Sequence, residues 1–413
     1  MSRKSNQIVA VKKCFEAFQN STDAQRTFRE IMYLQALSGH ENIVQILNVL
    51  KAENDQDIYI VTDFMESDLH AVVKAGILQD IHKQYVVYQV LRALKFMHSG
   101  DLIHRDIKPS NILLNSDCAI KLCDFGLARS VAPKGAAFLS SNPVMTDYVA
   151  TRWYRAPEIL LGSASYTKGV DIWAVGCLLG EMIAGQPVFP GNSTLDQLER
   201  VLEITGRPSL EDILSMKSPF AKTMLDSIHQ ASSPTTTREK PLAEWFPKAN
   251  REMIDFLSLC FRFSPANRPS AEELLKHPLM APFHDESTEP VCCNPIEIPL
   301  DDNVKLSSND YRTRIYENVI RRKKEINRYT RNSTSEITSP PSQGRGTKLP
   351  TATATEIIQG HLTTTYKAEY PVAPAVHART SMTKYRPVEK KVAAPPTANS
   401  ATESFFQYLF GRS

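Results

Sequence analysis

The sequence predicts an α+β fold in which a small, partly β lobe precedes a larger helical lobe and a long tail. Short apolar runs at Ile8–Lys12 and Asp57–Thr62 suit strands, with one helical segment between them. Apolar spacing from Leu69 onward is helical almost throughout. After Tyr329 the composition collapses to Thr, Ser, Pro and Ala, and Asp is absent. A chain of 413 residues with 42% hydrophobic content is long enough for two lobes around a sizeable core plus that tail.

Taken in order, Ile8-Val9-Ala10-Val11-Lys12 reads as a short buried strand. Thr22 and Gln25 fit a capping box that opens a helix running through Leu37, with Phe28, Ile31, Met32 and Leu34 on or near one face. Asp57–Thr62 is the next strand. Ile81–His98 is a long helix stopping near Gly100. Residues 104–123 read as a loop bracketed by short strands, the last being Ile120-Lys121-Leu122-Cys123. Gly169–Ala184, containing Trp173, is apolar nearly all round and predicts a central buried helix. Met253–Phe263 and Ala271–Lys276 close the larger lobe. Tyr311, Ile315, Val319 and Ile320 align on one more helix between Leu306 and Arg328. The division is residues 1–65, 66–290, an extension at 291–328, and a tail at 329–413 too poor in apolar surface to order itself.

Composition excludes several classes of protein. No run approaches the roughly 20 apolar residues that a bilayer span requires, and the first residues lack the apolar segment of a secretory signal. Seven scattered cysteines, an odd number, suit reduced thiols better than a disulfide framework. The adjacent Cys292-Cys293 has no second pair at zinc-site spacing. Residues 330–413 hold ten Lys/Arg against five Glu, so the basic excess of the whole chain, +3, sits in the tail. That distribution is not a nucleic-acid footprint, although it lets the tail touch acidic partners or its own domain.

Chemistry enters with three motifs in order: His104-Arg105-Asp106-Ile107-Lys108-Pro109-Ser110-Asn111, then Asp124-Phe125-Gly126, then Ala156-Pro157-Glu158. Phosphoryl transfer from ATP needs a carboxylate to receive the hydroxyl proton, groups to hold Mg2+ against the phosphates, and a cation to offset developing charge. Asp106, Asn111 with Asp124, and Lys108 meet those needs in turn.

Over residues 8–290 the chain resembles the mitogen-activated protein kinases, within the eukaryotic Ser/Thr kinases. The signal is Thr146-Asp147-Tyr148 followed by Val149-Ala150-Thr151-Arg152-Trp153-Tyr154-Arg155-Ala156-Pro157-Glu158. Asp23–Glu30, Ala52–Asp55 and His98-Ser99-Gly100 are similar to the atypical extracellular-signal-regulated subgroup that contains mitogen-activated protein kinase fifteen. The resemblance implies a bilobal kinase fold with an activation lip at 124–158, ATP and Mg2+ as cofactors, and protein substrates with Ser or Thr before Pro. It implies a role for Lys12 on the ATP phosphates, with Glu30 as its helix partner. Thr62 would gate the adenine pocket, with Asp63 and Met65 in the hinge, Asp68 toward the ribose and Leu113 completing the nucleotide site. Thr151 would bond near Asp106 and Lys108. Thr146 and Tyr148 would be phosphorylated, the phosphates received by Arg29, Arg105 and Arg129 and by Arg152 and Arg155. Glu158 with Arg268 would form a structural ion pair, and Asp171 would anchor the catalytic loop. Cys123 reads as a packed small side chain rather than a reactive thiol. Asp285 matches one acid of the family's docking groove, where Thr288 replaces a second. The implied location is cytoplasmic or nuclear, with the centrosome or cilium suggested by the subgroup.

One departure stands out. Kinases carry a G-x-G-x-x-G hairpin shortly before the strand lysine, and no Gly precedes Lys12 here. The expectation is a sheet short of two strands, an unpaired strand edge at Ile8–Lys12, and impaired but detectable activity, because lost N–H donors to phosphate slow transfer by about 10²–10⁴. The alternative is a kinase-shaped scaffold. Three weaker signals remain: Tyr316-Glu317-Asn318-Val319 as a short adaptor ligand or a packing face, Arg321–Lys324 as a basic cluster, and the apolar end Phe405–Phe410.

Overall fold

In the computed structural model, residues 7–131, 151–163, 167–231, 241–300 and 304–337 are described. The small lobe holds β1 (Val9–Cys14), helix α1 (Ser21–Ala36), β2 (Ile46–Lys51) and β3 (Ile58–Asp63). These strands form an antiparallel sheet in the order β1-β3-β2, with Lys12 opposite Ile60. Strand β1 pairs with β3 alone among the described residues and is not the buried strand its sequence suggests. Ile8 and Val11 are 60% and 57% exposed, because the strand lies at a sheet edge. Strand β2 escaped the sequence reading because a bulge after Ile46 breaks its alternation and turns Leu47 outward.

Helix α1 begins two residues earlier than the Thr22 box implies. Asn20 is the cap, its Oδ1 accepting from the N–H groups of Thr22 and Asp23 at 2.9 Å each. An Asn with extended backbone presents its amide oxygen to that first turn directly, so it displaces the threonine.

The larger lobe opens with β4 (Ser67–Asp68), α2 (Leu69–Ala75) and the 20-residue α3 (Asp80–Ser99). Short strands follow: β5 (Leu102–Ile103), β6 (Ile112–Leu114), β7 (Ile120–Leu122) and β8 (Arg129–Ser130). Helix α4 (Pro157–Leu160) leads to α5 (Gly169–Ala184), then α6 (Thr194–Thr205), α7 (Leu210–Ser215), α8 (Ala221–Ala231), α9 (Leu242–Trp245), α10 (Arg251–Cys260) and α11 (Ala271–Leu275). As its sequence predicts, α5 is buried along nearly its whole length, with Trp173 against Phe189 and Phe261. A Cβ on Gly176 would lie 2.7 Å from the Cys260 side chain, so glycine there lets α10 approach.

Two connections fix how the lobes meet. Asn42 and Val44 exchange backbone hydrogen bonds with Leu122 of β7 at 2.9 and 3.0 Å. Behind α1 lies α12 (Ser308–Ile337), which continues past residue 328. Tyr311 and Ile315 are buried in that contact, and the Tyr311 ring centre is 5.6 Å from that of Phe28. Tyr316 packs beside Phe18 and under the Lys51 ammonium, so the Tyr316–Val319 stretch serves as a packing face. No helix among the described residues is long and apolar enough to cross a membrane.

Candidate active site

Strands β6 and β7 pair Ile112 with Leu122, which brings the residues flanking them, Asn111 and Cys123-Asp124, to the same end of the hairpin. The Cys123 N–H donates to the Asn111 carbonyl at 3.0 Å, locking that end. Asn111 in turn donates from Nδ2 to the Asp106 carbonyl at 2.8 Å and to Asp106 Oδ2 at 2.9 Å. Lys108 Nζ reaches the same Oδ2 at 2.7 Å. One carboxylate therefore sits between an amide and an ammonium. The Asn111 side-chain oxygen is left as an acceptor with no protein donor among the described residues.

The opposite wall comes from the small lobe. Lys12 Nζ lies 2.6 Å from Glu30 Oε1 on α1, and 49% of the lysine side chain remains exposed. Partial burial pulls the Lys12 ammonium down, but the Glu30 and Asp124 carboxylates outweigh it and hold the group above the usual lysine value. Burial pushes the Glu30 carboxyl up, Lys12 opposes it, and Asp124 adds to it. The Asp124 charge acts on both members of this pair, while Asp106, Lys108 and Asn111 are joined directly by hydrogen bonds. Asp124 itself is left-handed, φ 63°, a conformation uncommon for a residue with a side chain and frequent at functional turns.

A buried carboxylate holds the loop in shape. Asp171 of α5 accepts the His104 N–H at 2.9 Å and the Arg105 N–H at 2.8 Å. Burial pushes this carboxyl up, but His98, His104 and the Arg105 N–H more than offset it, leaving it below the usual Asp range. His104 accepts the Asp106 N–H on Nδ1 at 3.2 Å, so its Nε2–H donates to the Cys123 carbonyl at 3.1 Å.

The residues expected to take the nucleoside lie on or beside β3, β4 and β6. Asp68 lies directly opposite Leu113 across β4 and β6, so both face the same side. Asp68 also caps α2, accepting the Ala71 N–H at 3.0 Å. The Asp63 carboxylate is engaged by the Gln45 N–H at 2.8 Å and by Lys121 at 3.0 Å, leaving backbone as its contribution to a bound base. Thr62 precedes it in β3, its hydroxyl donating to the Asp63 carbonyl at 3.1 Å, and Met65 follows β3.

A protein kinase domain model matches residues 1–280. The chain is 53% identical to extracellular signal-regulated kinase 2 of Dictyostelium discoideum, over 83% of this chain and 91% of that protein. It is 50% identical to mitogen-activated protein kinase 15 of Xenopus laevis, over 86% of this chain but only 59% of that longer protein. It is 42% identical to mitogen-activated protein kinase mpkB of Aspergillus fumigatus, over 77% and 89% respectively. The chain belongs to the mitogen-activated protein kinases.

It is accordingly a Ser/Thr protein kinase, of a family that uses ATP with Mg2+. The donor set fits the metal. Mg2+ takes hard oxygen ligands, one or two from protein and the rest from phosphates and water, and Asn111 and Asp124 supply an amide and a carboxylate oxygen. Bound Mg2+ would neutralise charge on the phosphates.

The arginines and lip residues that the resemblance singles out are dispersed. Arg129 is opposite Ile103 in the β5–β8 ladder, on the approach to Arg105, and donates to the Ala128 carbonyl; Arg105 donates to that of Leu127. Arg29 is buried on α1 next to Glu30. Arg152 donates to the Asn192 carbonyl at 2.6 Å, and Arg155 ends the turn Arg152–Tyr154. Thr146 and Tyr148 lie outside the described residues. Thr151 is exposed at the head of that turn. Burial, with Asp124 and Glu30 nearby, pushes the Cys123 thiol up to about 12, which makes it a packing group and a poor nucleophile. His98, at the end of α3, has its Nε2 2.9 Å from Asp171 Oδ2, a contact that no sequence motif carries because the two residues are far apart in the chain.

Proposed function

We propose that this kinase transfers the γ-phosphoryl group of ATP to Ser or Thr hydroxyls followed by Pro. The observation that carries this reading is the Asp106 carboxylate held by Lys108 and Asn111 at the hairpin end that leads into Asp124, with the Lys12–Glu30 pair supplied by the small lobe. Asp106 receives the proton of the attacking hydroxyl as its oxygen bonds the γ-phosphorus and the bond to the ADP oxygen breaks. Lys108 offsets charge on the moving group, and Lys12, kept protonated and pinned by Glu30, steadies the other phosphates. Thr62, Asp63, Met65, Asp68 and Leu113 take the nucleoside.

Regulation is proposed through phosphorylation of Thr146 and Tyr148, with Arg29, Arg105, Arg129, Arg152 and Arg155 as receivers. Each new charge-assisted bond contributes about 1.5–3 kcal/mol, so several together order a loop. Basic partner segments would dock beside the exposed Asp285, with Glu286 next to it, and the basic tail would engage acidic partners. The seven cysteines, all unpaired thiols, fit a reducing cytoplasmic or nuclear setting; centrosome or cilium follows the subgroup resemblance alone.

The test is phosphate transfer from Mg-ATP to a Ser-Pro peptide and its Ser-Ala counterpart by wild type and Asp106→Asn. Removing a general base lowers kcat by about 10²–10⁴. Undiminished transfer by Asp106→Asn removes the assignment, and equal use of both peptides removes the Pro requirement.

A further inference from the structure

We propose that His98, at the end of α3, is a positioning residue for phosphoryl transfer, acting through Asp171 on the backbone that presents Asp106. The inference rests on the reading of Asp106 given above.

His98 is buried, and its Nε2 lies 2.9 Å from Asp171 Oδ2, the oxygen that also accepts the His104 N–H. The other oxygen, Oδ1, accepts the Arg105 N–H. A nitrogen facing a carboxylate with backbone donors beside it must carry the proton, so His98 is the third donor to Asp171. Three elements meet there: α3 contributes His98, the catalytic loop two N–H groups, and α5 the carboxylate itself. Lys168, just before α5, is engaged elsewhere, with Asp101 at 2.7 Å.

The backbone at stake is strained. Arg105 has φ 68°, a left-handed conformation that an arginine keeps only when its surroundings hold it there. The two N–H bonds to Asp171 are that hold, and Asp106 is the next residue. A fully buried carboxylate stays ionised only while enough donors face it. With His98 removed, burial favours proton uptake by Asp171. The protonated oxygen then becomes a donor facing an N–H, one anchor is lost, and the strained peptide relaxes with Asp106 attached to it. The consequence falls on the chemical step rather than on nucleotide binding, since neither Lys12 nor the hinge touches this network.

The experiment is kcat and KM for the Ser-Pro peptide from pH 6 to 8.5, for wild type, His98→Phe, His98→Leu and His98→Gln. Thermal unfolding of each variant is recorded in parallel. A misplacement of the base lowers kcat by about tenfold or more in the apolar variants, with KM for ATP unchanged and the loss deepening toward low pH. His98→Gln, whose amide supplies an N–H donor, recovers most of kcat and the wild-type pH profile. Wild-type kcat and pH profile in either folded apolar variant would overturn the proposal. So would a Gln variant as impaired as the apolar ones, which would assign His98 to packing alone. Asp106→Asn separates the layers: inactive Asp106→Asn beside unaffected His98 variants sinks this inference only.

Discussion

Arg268 and Glu158 meet through two hydrogen bonds of 2.7 Å, with neither side chain more than 1% exposed, whereas Lys12 reaches Glu30 through one of 2.6 Å with half the lysine open to the cleft. Arg268 uses all five of its donors. Beyond Glu158 it reaches the carbonyls of Arg262, Gly169 and Phe263, and its guanidinium lies 5.1 Å from the Trp173 ring centre. Nothing in that pair is left over for a ligand. Lys12 is the reverse: a point charge drawn by two carboxylates from opposite walls and still facing open space. The difference teaches that saturation marks a structural ion pair, while an exposed, over-attracted cation marks one kept ready for an incoming anion.

That contrast can be broken from either side. The largest effect is expected for Arg268→Leu, which strands the Glu158 carboxylate in the core. Unfolding in urea should show a loss of about 3–5 kcal/mol, and a loss under 1 kcal/mol would equate the two pairs. Lys12→Met should do the opposite, lowering phosphate transfer by about 10²-fold or more while unfolding free energy stays within about 1 kcal/mol of wild type. A midpoint that collapses together with activity would make Lys12 structural.

Smaller changes sharpen the picture. Tyr311 supports α1 from behind, its hydroxyl donating to the Val304 carbonyl at 3.1 Å and accepting the Leu306 N–H at 3.3 Å. Tyr311→Phe should destabilise by about 1 kcal/mol and leave KM for ATP unchanged; a rise in KM would show that α12 also sets the Lys12–Glu30 geometry. His40→Gln is expected to be nearly silent at neutral pH. Burial, then the Arg92 and Lys121 charges, pulls the His40 imidazole down to about 3. The unfolded chain therefore binds the extra proton first, and the stability this neutral ring confers is complete above the unfolded value, about 6.5. It is lost as pH falls from there toward about 3. The Gln variant should show a flatter acid limb in urea unfolding from pH 7 to 4, and an unchanged limb would remove His40 as its source.

Legibility in the sequence followed the range of the forces involved. Helices α3 and α5 were readable because their apolar pattern is local and long. Strand β2 was not, because its bulge interrupts the alternation that identifies strands. The Asn20 cap lost to Thr22 on paper because both are good caps and only backbone geometry chooses between them. Asp106, Asn111, Asp124 and Lys12 lie in motifs that single them out, whereas no motif carries the His98–Asp171 contact, whose partners are distant in the chain.

Residue order alone determined that this chain is a protein kinase, because the motifs that mark the family are short and their local geometry is nearly self-contained. Tertiary structure alone decided which charges are sealed and which are poised. Lys12–Glu30 and Arg268–Glu158 read alike as letters, and only packing excludes water from one pair and leaves the other at the mouth of a cleft, where its attraction is available to a phosphate.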